Sequence, residues 1–285
     1  MQADIIDIHP HVISNDLQKY PRAPLGGKQS TWSESRPATW QQLLEQMDKA
    51  GVAKAAIVQA STCYGFDNSY VAEAVANCPE RFTGVFSVDM LAKDAPEKIK
   101  YWVDQGLTGL RLFTAGSTMP EQSDVLGDPR SYPAWQAARD LGLSVCVQMR
   151  PQGLGMLMNL IERFPTVRII LDHLMSASVE SGPPYADAKP LFDLASHSNI
   201  FLKLTIVSVR RSHTGLSTPE SFFKKVVETF GAHRIAWGSN FPTSEGSMLE
   251  ILEESQSALK FLSERDRECV FSHTARSLYP ALLSK

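Results

Sequence analysis

Short apolar runs recur eight times along this chain, each separated from the next by an amphipathic stretch, and that alternation constrains the fold more than any other feature. The runs are DIIDIH (4–9), AAIVQA (55–60), FTGVFSV (82–88), GLRLF (109–113), LSVCVQM (143–149), RIILDH (168–173), IFLKLT (200–205) and RIAWGS (234–239). They are rich in Val, Ile, Leu and Phe, as strands covered on both faces of a parallel sheet are. The stretches between them read as helices. TWQQLLEQMDKAG (39–51) opens with Thr39 as a cap and stops at Gly51, a helix-stop signal. Residues 69–82, 96–106, 132–142, 154–165, 188–198, 219–231 and 247–264 follow the same plan. Strand and helix in alternation predict an α/β fold with a parallel sheet. A closed (β/α)8 TIM barrel takes about 250 residues, and this chain has 285 with no Pro/Gly/Ser-rich linker or charge run dividing it. The expectation is one barrel domain over 1–285. A doubly wound open sheet is the alternative; no glycine-rich phosphate loop follows any strand, which counts against it.

Composition narrows the function classes. The formal charge is -3, and nothing suggests the basic face a nucleic-acid partner needs. No apolar run is long enough for a membrane span, and MQADIIDIHP lacks the pattern of a signal peptide. The cysteines, Cys63, Cys78, Cys146 and Cys269, form no CxxC pair; free thiols in a reducing cytoplasm are the expected state. A homo-oligomer stays open.

In a barrel of this kind the working residues sit at the carboxyl ends of the strands. The first strand ends in DIHPH. His9 and His11 are two apart, so on an extended segment they point the same way, and two imidazoles on one face are a natural pair of divalent-metal ligands. Asp7 lies one layer deeper, either orienting a histidine or standing as a buried, hydrogen-bonded carboxylate. The sixth strand ends in LDH; His173 is expected to share the inward face of Leu171, with Asp172 pointing away. His197, His213, His233 and His273 fall in helices or loops. Gln59, Arg111, Gln148, Arg150 and Lys203 are further polar groups at strand ends. Buried cations are rare unless paired, so Arg111 and Lys203 each need an anion, from the protein or from a ligand. Arg150 stands where a guanidinium could grip a substrate carboxylate; Arg210 and Arg211, after strand seven, could also reach an anionic substrate. The segment 14–38 is too long for an ordinary connection. It carries Tyr20 and Trp32 and would hang over the barrel mouth as a lid, a binding loop or a plain surface excursion.

The strand-one DIHPH, the strand-six LDH, GSNFP (238–242) after strand eight and the closing HTARSLYP (273–280) together resemble the amidohydrolase superfamily. The chain is most similar to its amidohydrolase 2 branch of TIM-barrel hydrolases, which includes 2-pyrone-4,6-dicarboxylate lactonase, fuconolactonase and sulfomuconolactonase. The resemblance implies that His9 and His11 match the family's HxH metal pair. It implies that His173 is the strand-six histidine that binds metal or polarises the substrate carbonyl. Asn240 stands where the family usually has an aspartate that binds metal and deprotonates water. Arg111 and Arg150 fall where the pyrone lactonase holds substrate carboxylates; Gln148 and Lys203 are expected to bind substrate only as polar groups at strand ends. Superfamily decarboxylases carry a further histidine after the strand-six one; here the next strand offers Lys203.

Asn240 cannot take a proton from water at neutral pH, and its amide oxygen carries no full charge. Two readings follow. Either one divalent metal, zinc or manganese, is held by His9, His11 and His173 and activates water itself, or the histidines act without metal as base and carbonyl polariser. Lactonases of this branch that work without metal keep the second reading open. The expected function is a hydrolase opening a small, carboxylate-bearing lactone, with an anionic small molecule as its partner. A cyclic amide or imide hydrolase and a decarboxylase or other lyase are the alternatives within the fold, and a barrel that only binds a ligand is a third.

Overall fold

The structure is a computed structural model that describes residues 4–283; residues 1–3 and 284–285 of the expected domain lie outside the described residues. Eight strands make one sheet: β1 (Ile5–Asp7), β2 (Val52–Val58), β3 (Phe82–Phe86), β4 (Leu107–Phe113), β5 (Ser144–Gln148), β6 (Arg168–Leu171), β7 (Ile200–Thr205) and β8 (Ile235–Gly238). They lie side by side in sequence order, every ladder parallel. This is the (β/α)8 barrel the alternation demands. β2 and β4 begin ahead of their apolar runs, and β6 stops at Leu171, short of the LDH signature.

Between β8 and β1 the wall is closed by individual bonds. The Ile8 N–H donates to the Trp237 carbonyl (3.1 Å) and the Asn240 N–H to that of His9 (3.0 Å). The Asp7 carboxylate accepts the backbone N–H of His9 (2.9 Å) and of Ser239 (2.8 Å). Asp7 is thus the buried, hydrogen-bonded carboxylate of the two readings, and it pins the ends of β1 and β8 together. Gly238 makes the closure possible: a Cβ there would stand 2.5 Å from the His9 Cβ, so only glycine lets the strands approach this closely.

Helices cover the outside of the sheet. Trp40–Ala50 carries the expected Thr39 cap, a capping box with Gln42, and ends at Gly51 in the left-handed conformation (φ 71°), a geometry glycine adopts without a Cβ penalty. One apolar layer packs between sheet and helices, with Leu43, Val71, Ile99, Trp135, Leu160, Phe223 and Ile251 fully buried or nearly so. A second fills the barrel with Ile6, Ile8, Ala56, Val58, Val85, Cys146, Ile170 and Ala236. The chain end folds beneath it, and Leu278, Tyr279 and Leu282 join this inner cluster. With one end plugged by apolar side chains, the polar residues gather at the other, where the strands end.

The long segment 14–38 runs beside that end and is stitched down. Ala23, Leu25 and Ser30 donate backbone N–H groups to the carbonyls of Cys63, Ser61 and Thr62. Arg36 reaches across to the carbonyls of Pro242 (3.2 Å) and Thr243 (2.7 Å). A short helix, Thr31–Ser35, carries Trp32. Among the described residues no helix is long and apolar enough to cross a membrane.

Candidate active site

Three imidazoles meet at the carboxyl end of the barrel. The ring of His9 stands 4.9 Å, centroid to centroid, from that of His11 and 4.9 Å from that of His173, edge to face in both cases. His9 and His11 are buried, and His173 is half-buried. All three line one cavity of about 240 Å³ together with Trp32, Arg111, Phe113, Gln148 and Asn240. Trp32, delivered by the long segment, lies 5.3 Å from His11 with its ring tilted by 32°.

His173 arrives there by a route that strand periodicity does not describe. Ile170 belongs to the cluster inside the barrel and Leu171 to the layer under the helices, so the inward register of β6 continues to Asp172. The expectation that Asp172 points away is overturned. β6 then gives way to a turn in which His173, Leu174, Met175 and Ser176 all have φ between 52° and 55°. A left-handed turn of L-residues costs roughly 1–2 kcal/mol per residue, and this one swings His173 and Ser176 into the cavity.

Asp172 is the anion that Arg111 and Lys203 require. Its Oδ2 accepts from Arg111 Nε at 3.1 Å, and Lys203 Nζ stands 2.9 Å from its Oδ1. The latter contact is an ion pair off the hydrogen-bond line, since Lys203 directs N–H groups to His9 Nδ1 (3.0 Å) and Cys146 Sγ (3.2 Å). Tyr279, whose hydroxyl lies 3.2 Å from the same sulfur, extends this polar column toward the plugged end. Burial opposes ionisation of Asp172, but the charges of Lys203 and Arg111 outweigh it and hold its carboxyl well below the usual carboxylate range. Two cations against one anion leave the cluster with one positive charge.

The same burial and positive charge keep the imidazoles neutral. Burial first, then Lys203, pushes His9 well below its ordinary value. Burial and Arg111 lower His11 to about 3. Burial lowers His173 to about 4, although Asp172 beside it pulls the other way. Asp7, buried with no countercharge in contact, is raised to about 6.

Arg111 lines the cavity with Nη2 on Gln148 Oε1 at 2.7 Å and Nε on Asp172; Nη1 takes no protein partner among the described residues. Lys203 is fully buried beneath His9 and does not reach the cavity wall. Arg150 is exposed and stands outside the lining, just before a short 3-10 helix, Pro151–Gly153. Arg210 is on a helix, Ile206–Arg211, and pairs with Glu254 at 3.0 Å. Gln59 is spent on the carbonyls of Gly65 and Asp67. His213, His233 and His273 are exposed and His197 half-buried, away from the cavity. Asp172 and Phe113 are residues the site adds to those expected, and Trp32 comes from the segment expected over the mouth. Asp172 had a readable signal: two cations inside apolar strands need an acid nearby, and a strand end supplies one.

A closed barrel whose open end is lined by three imidazoles and a guanidinium defines the class: a (β/α)8 protein whose polar side chains gather at the carboxyl ends of its strands. The chain belongs to the amidohydrolase family, whose model matches residues 6–281. It is 28% identical over 251 residues to the L-fucono-1,5-lactonase of Burkholderia ambifaria, an overlap of 84% of either chain. It is 24% identical over 226 residues to the 4-sulfomuconolactone hydrolase of Rhizobium radiobacter, covering 75% of this chain and 71% of that one. Among solved structures, one from Pseudomonas putida described as a 2-pyrone-4,6-dicarboxylic acid hydrolase shares the fold with a TM-score of 0.79, at 21% identity over 99% of this chain and all of that one.

An amidohydrolase structure from Burkholderia multivorans with the same fold (TM-score 0.76, 17% identity, covering 98% of this chain and 99% of that one) contains zinc, so the donor set here must be tested against a metal. One ion held by three imidazoles needs three ring lone pairs. Lys203 is an ammonium beside an ionised carboxylate and has no lone pair, so His9 Nδ1 must accept from it and the ring proton sits on Nε2. That Nε2 is buried without a partner among the described residues, and an N–H there does not ligate. Asn240 adds only a neutral amide, its Nδ2 donating to Ser244 Oγ at 2.9 Å. These residues do not fit a metal held by His9, His11 and His173 together.

Proposed function

We propose that this protein is a hydrolase that opens a small lactone bearing a carboxylate. The observation that carries the reading is the convergence on one cavity of about 240 Å³ of three neutral imidazoles and the Arg111 guanidinium, whose Nη1 has no protein partner among the described residues. The resemblance to two curated relatives named as lactone hydrolases supports the same reaction class.

Each element has a part in ring opening. The Arg111 guanidinium at the cavity wall attracts an anion, and its Nη1 holds the carboxylate by a charge-assisted hydrogen bond. The faces of Trp32 and Phe113 bound the space a flat ring would fill. Water adds to the ester carbonyl, and imidazole N–H groups stabilise the oxygen on which charge develops. Donors fixed before the reaction are the largest single source of such stabilisation. A neutral imidazole with its free lone pair takes the proton from water. Lys203 and Arg150 contact no substrate in this reading.

The test is a panel of five- and six-membered lactones, with and without ring carboxylates, followed by acid release. Turnover of a carboxylated lactone, lost in His173→Ala, is expected. Carbon dioxide release without ring opening would replace this reading with a lyase.

A further inference from the structure

We infer that His9 and His11 are locked in opposite tautomers and divide the chemistry between them: His9 is a fixed Nε2–H donor to the carbonyl oxygen, and His11 presents the Nε2 lone pair that takes the proton from water. Lys203 is the positioning residue that sets the first of these. The division of roles rests on the lactone-opening reading; the tautomers do not.

The assignment follows from what faces each Nδ1. His11 Nδ1 lies 2.7 Å from the Val58 carbonyl oxygen. A carbonyl only accepts, so His11 carries its proton on Nδ1 and leaves Nε2 bare. His9 Nδ1 lies 3.0 Å from the Lys203 ammonium, which only donates, and 3.8 Å from Asp172 Oδ1, too far for a hydrogen bond, so His9 carries its proton on Nε2. Lys203 is held in place by Asp172 at 2.9 Å and Cys146 at 3.2 Å and is fully buried, so no solvent competes for the bond. His173 Nδ1 faces the Thr205 hydroxyl at 2.7 Å, which donates or accepts, and its tautomer is free to follow the substrate. Two rings 4.9 Å apart that both line the cavity thus carry their protons on opposite nitrogens. Asn240 is a neutral amide that cannot take the proton from water, and a bare imidazole nitrogen supplies that function.

The proton balance closes without a metal. His11 Nε2 removes a proton from water as the hydroxide oxygen bonds to the carbonyl carbon, the negative charge growing beside it offsetting the burial and the Arg111 charge that disfavour its imidazolium, and His9 Nε2–H bonds to the oxygen that becomes negative. When the tetrahedral adduct collapses, the bond from that carbon to the ring oxygen breaks. The His11 imidazolium returns its proton to the departing oxygen, leaving a hydroxy acid whose new carboxyl ionises into solvent. His9 keeps its proton throughout.

Long-range 1H–15N correlation spectra of the histidine rings test this directly in the wild-type protein, without a substrate. The expected result is a protonated Nε2 on His9 and a protonated Nδ1 on His11. In Lys203→Met the His9 pattern should become mixed while that of His11 stays. Lys203→Gln, whose amide still donates, should keep it. Calorimetric titration with zinc chloride gives a second readout: Lys203→Met should bind about tenfold or more tightly than wild type, the scale on which partners of a ligating imidazole change metal affinity. A His9 ring with bare Nε2, or a wild-type protein that takes up one zinc as tightly as the variant, overturns the inference. Opposite tautomers in a protein that opens no lactone would instead overturn the proposed function and the division of roles, and leave the tautomer assignment standing.

Discussion

Asp172 and Lys203 form a fully buried ion pair at 2.9 Å, with Arg111 on the other oxygen of the same carboxylate at 3.1 Å. Removing one partner of a buried pair strands a charge and costs about 3–5 kcal/mol. Asp172→Asn should therefore lower the unfolding free energy by about that amount, read from urea denaturation, while Arg150→Gln on the exposed loop should change it by about 0.5 kcal/mol or less.

Acid should destabilise the protein through its imidazoles. His11 and His173 are held at about 3 and about 4 in the folded chain against 6.5 unfolded. The unfolded state therefore binds more protons between those values, and stability is full above 6.5 and lost as the pH falls. Asp7, raised from 3.8 to about 6, works in the opposite sense over the same range but is one group against His9, His11 and His173. His173→Asn should show a shallower loss of stability than wild type between pH 7 and pH 5 in thermal melts; equal slopes would contradict the assignment.

Gly238 should tolerate no side chain. A methyl group at 2.5 Å from the His9 Cβ forces β1 and β8 apart, with overpacking of this kind costing about 1–3 kcal/mol. Gly238→Ala should lower both the melting temperature and kcat, because the residue displaced is His9.

Trp32 should contribute to holding substrate and little to the fold. It is half-buried on a segment anchored independently by Arg36 and by backbone bonds to residues 61–63. An aromatic face against a flat ring is worth about 1 kcal/mol, so Trp32→Ala should raise KM several-fold with kcat and melting temperature nearly unchanged.

The barrel was legible because its signal is repeated: eight apolar runs become β1 to β8 in order. His9 and His11 were legible for the same local reason, two positions apart at a strand end. His173 was found with the wrong geometry. Period-two reasoning carried past Leu171, where the strand has already ended, and it reversed the facing of Asp172. No propensity announces four consecutive left-handed residues, so the turn that delivers His173 left no trace in the sequence. Arg150 looks like a carboxylate ligand because it is adjacent to β5 in sequence, but it lies past the strand end and is exposed. Trp32 could be placed near the mouth by the length of its segment but not against His11, since the path of an irregular segment has no period to read.

The most direct test is the rate of ring opening of a carboxylate-bearing lactone by protein exhaustively dialysed against chelator, beside the same lactone with its carboxylate esterified. The account predicts that turnover of the free acid survives chelation and falls by at least about tenfold on esterification, the loss of one charge-assisted contact of about 1.5–3 kcal/mol. Activity abolished by chelator and restored by zinc, or an ester opened as fast as the acid, would contradict it.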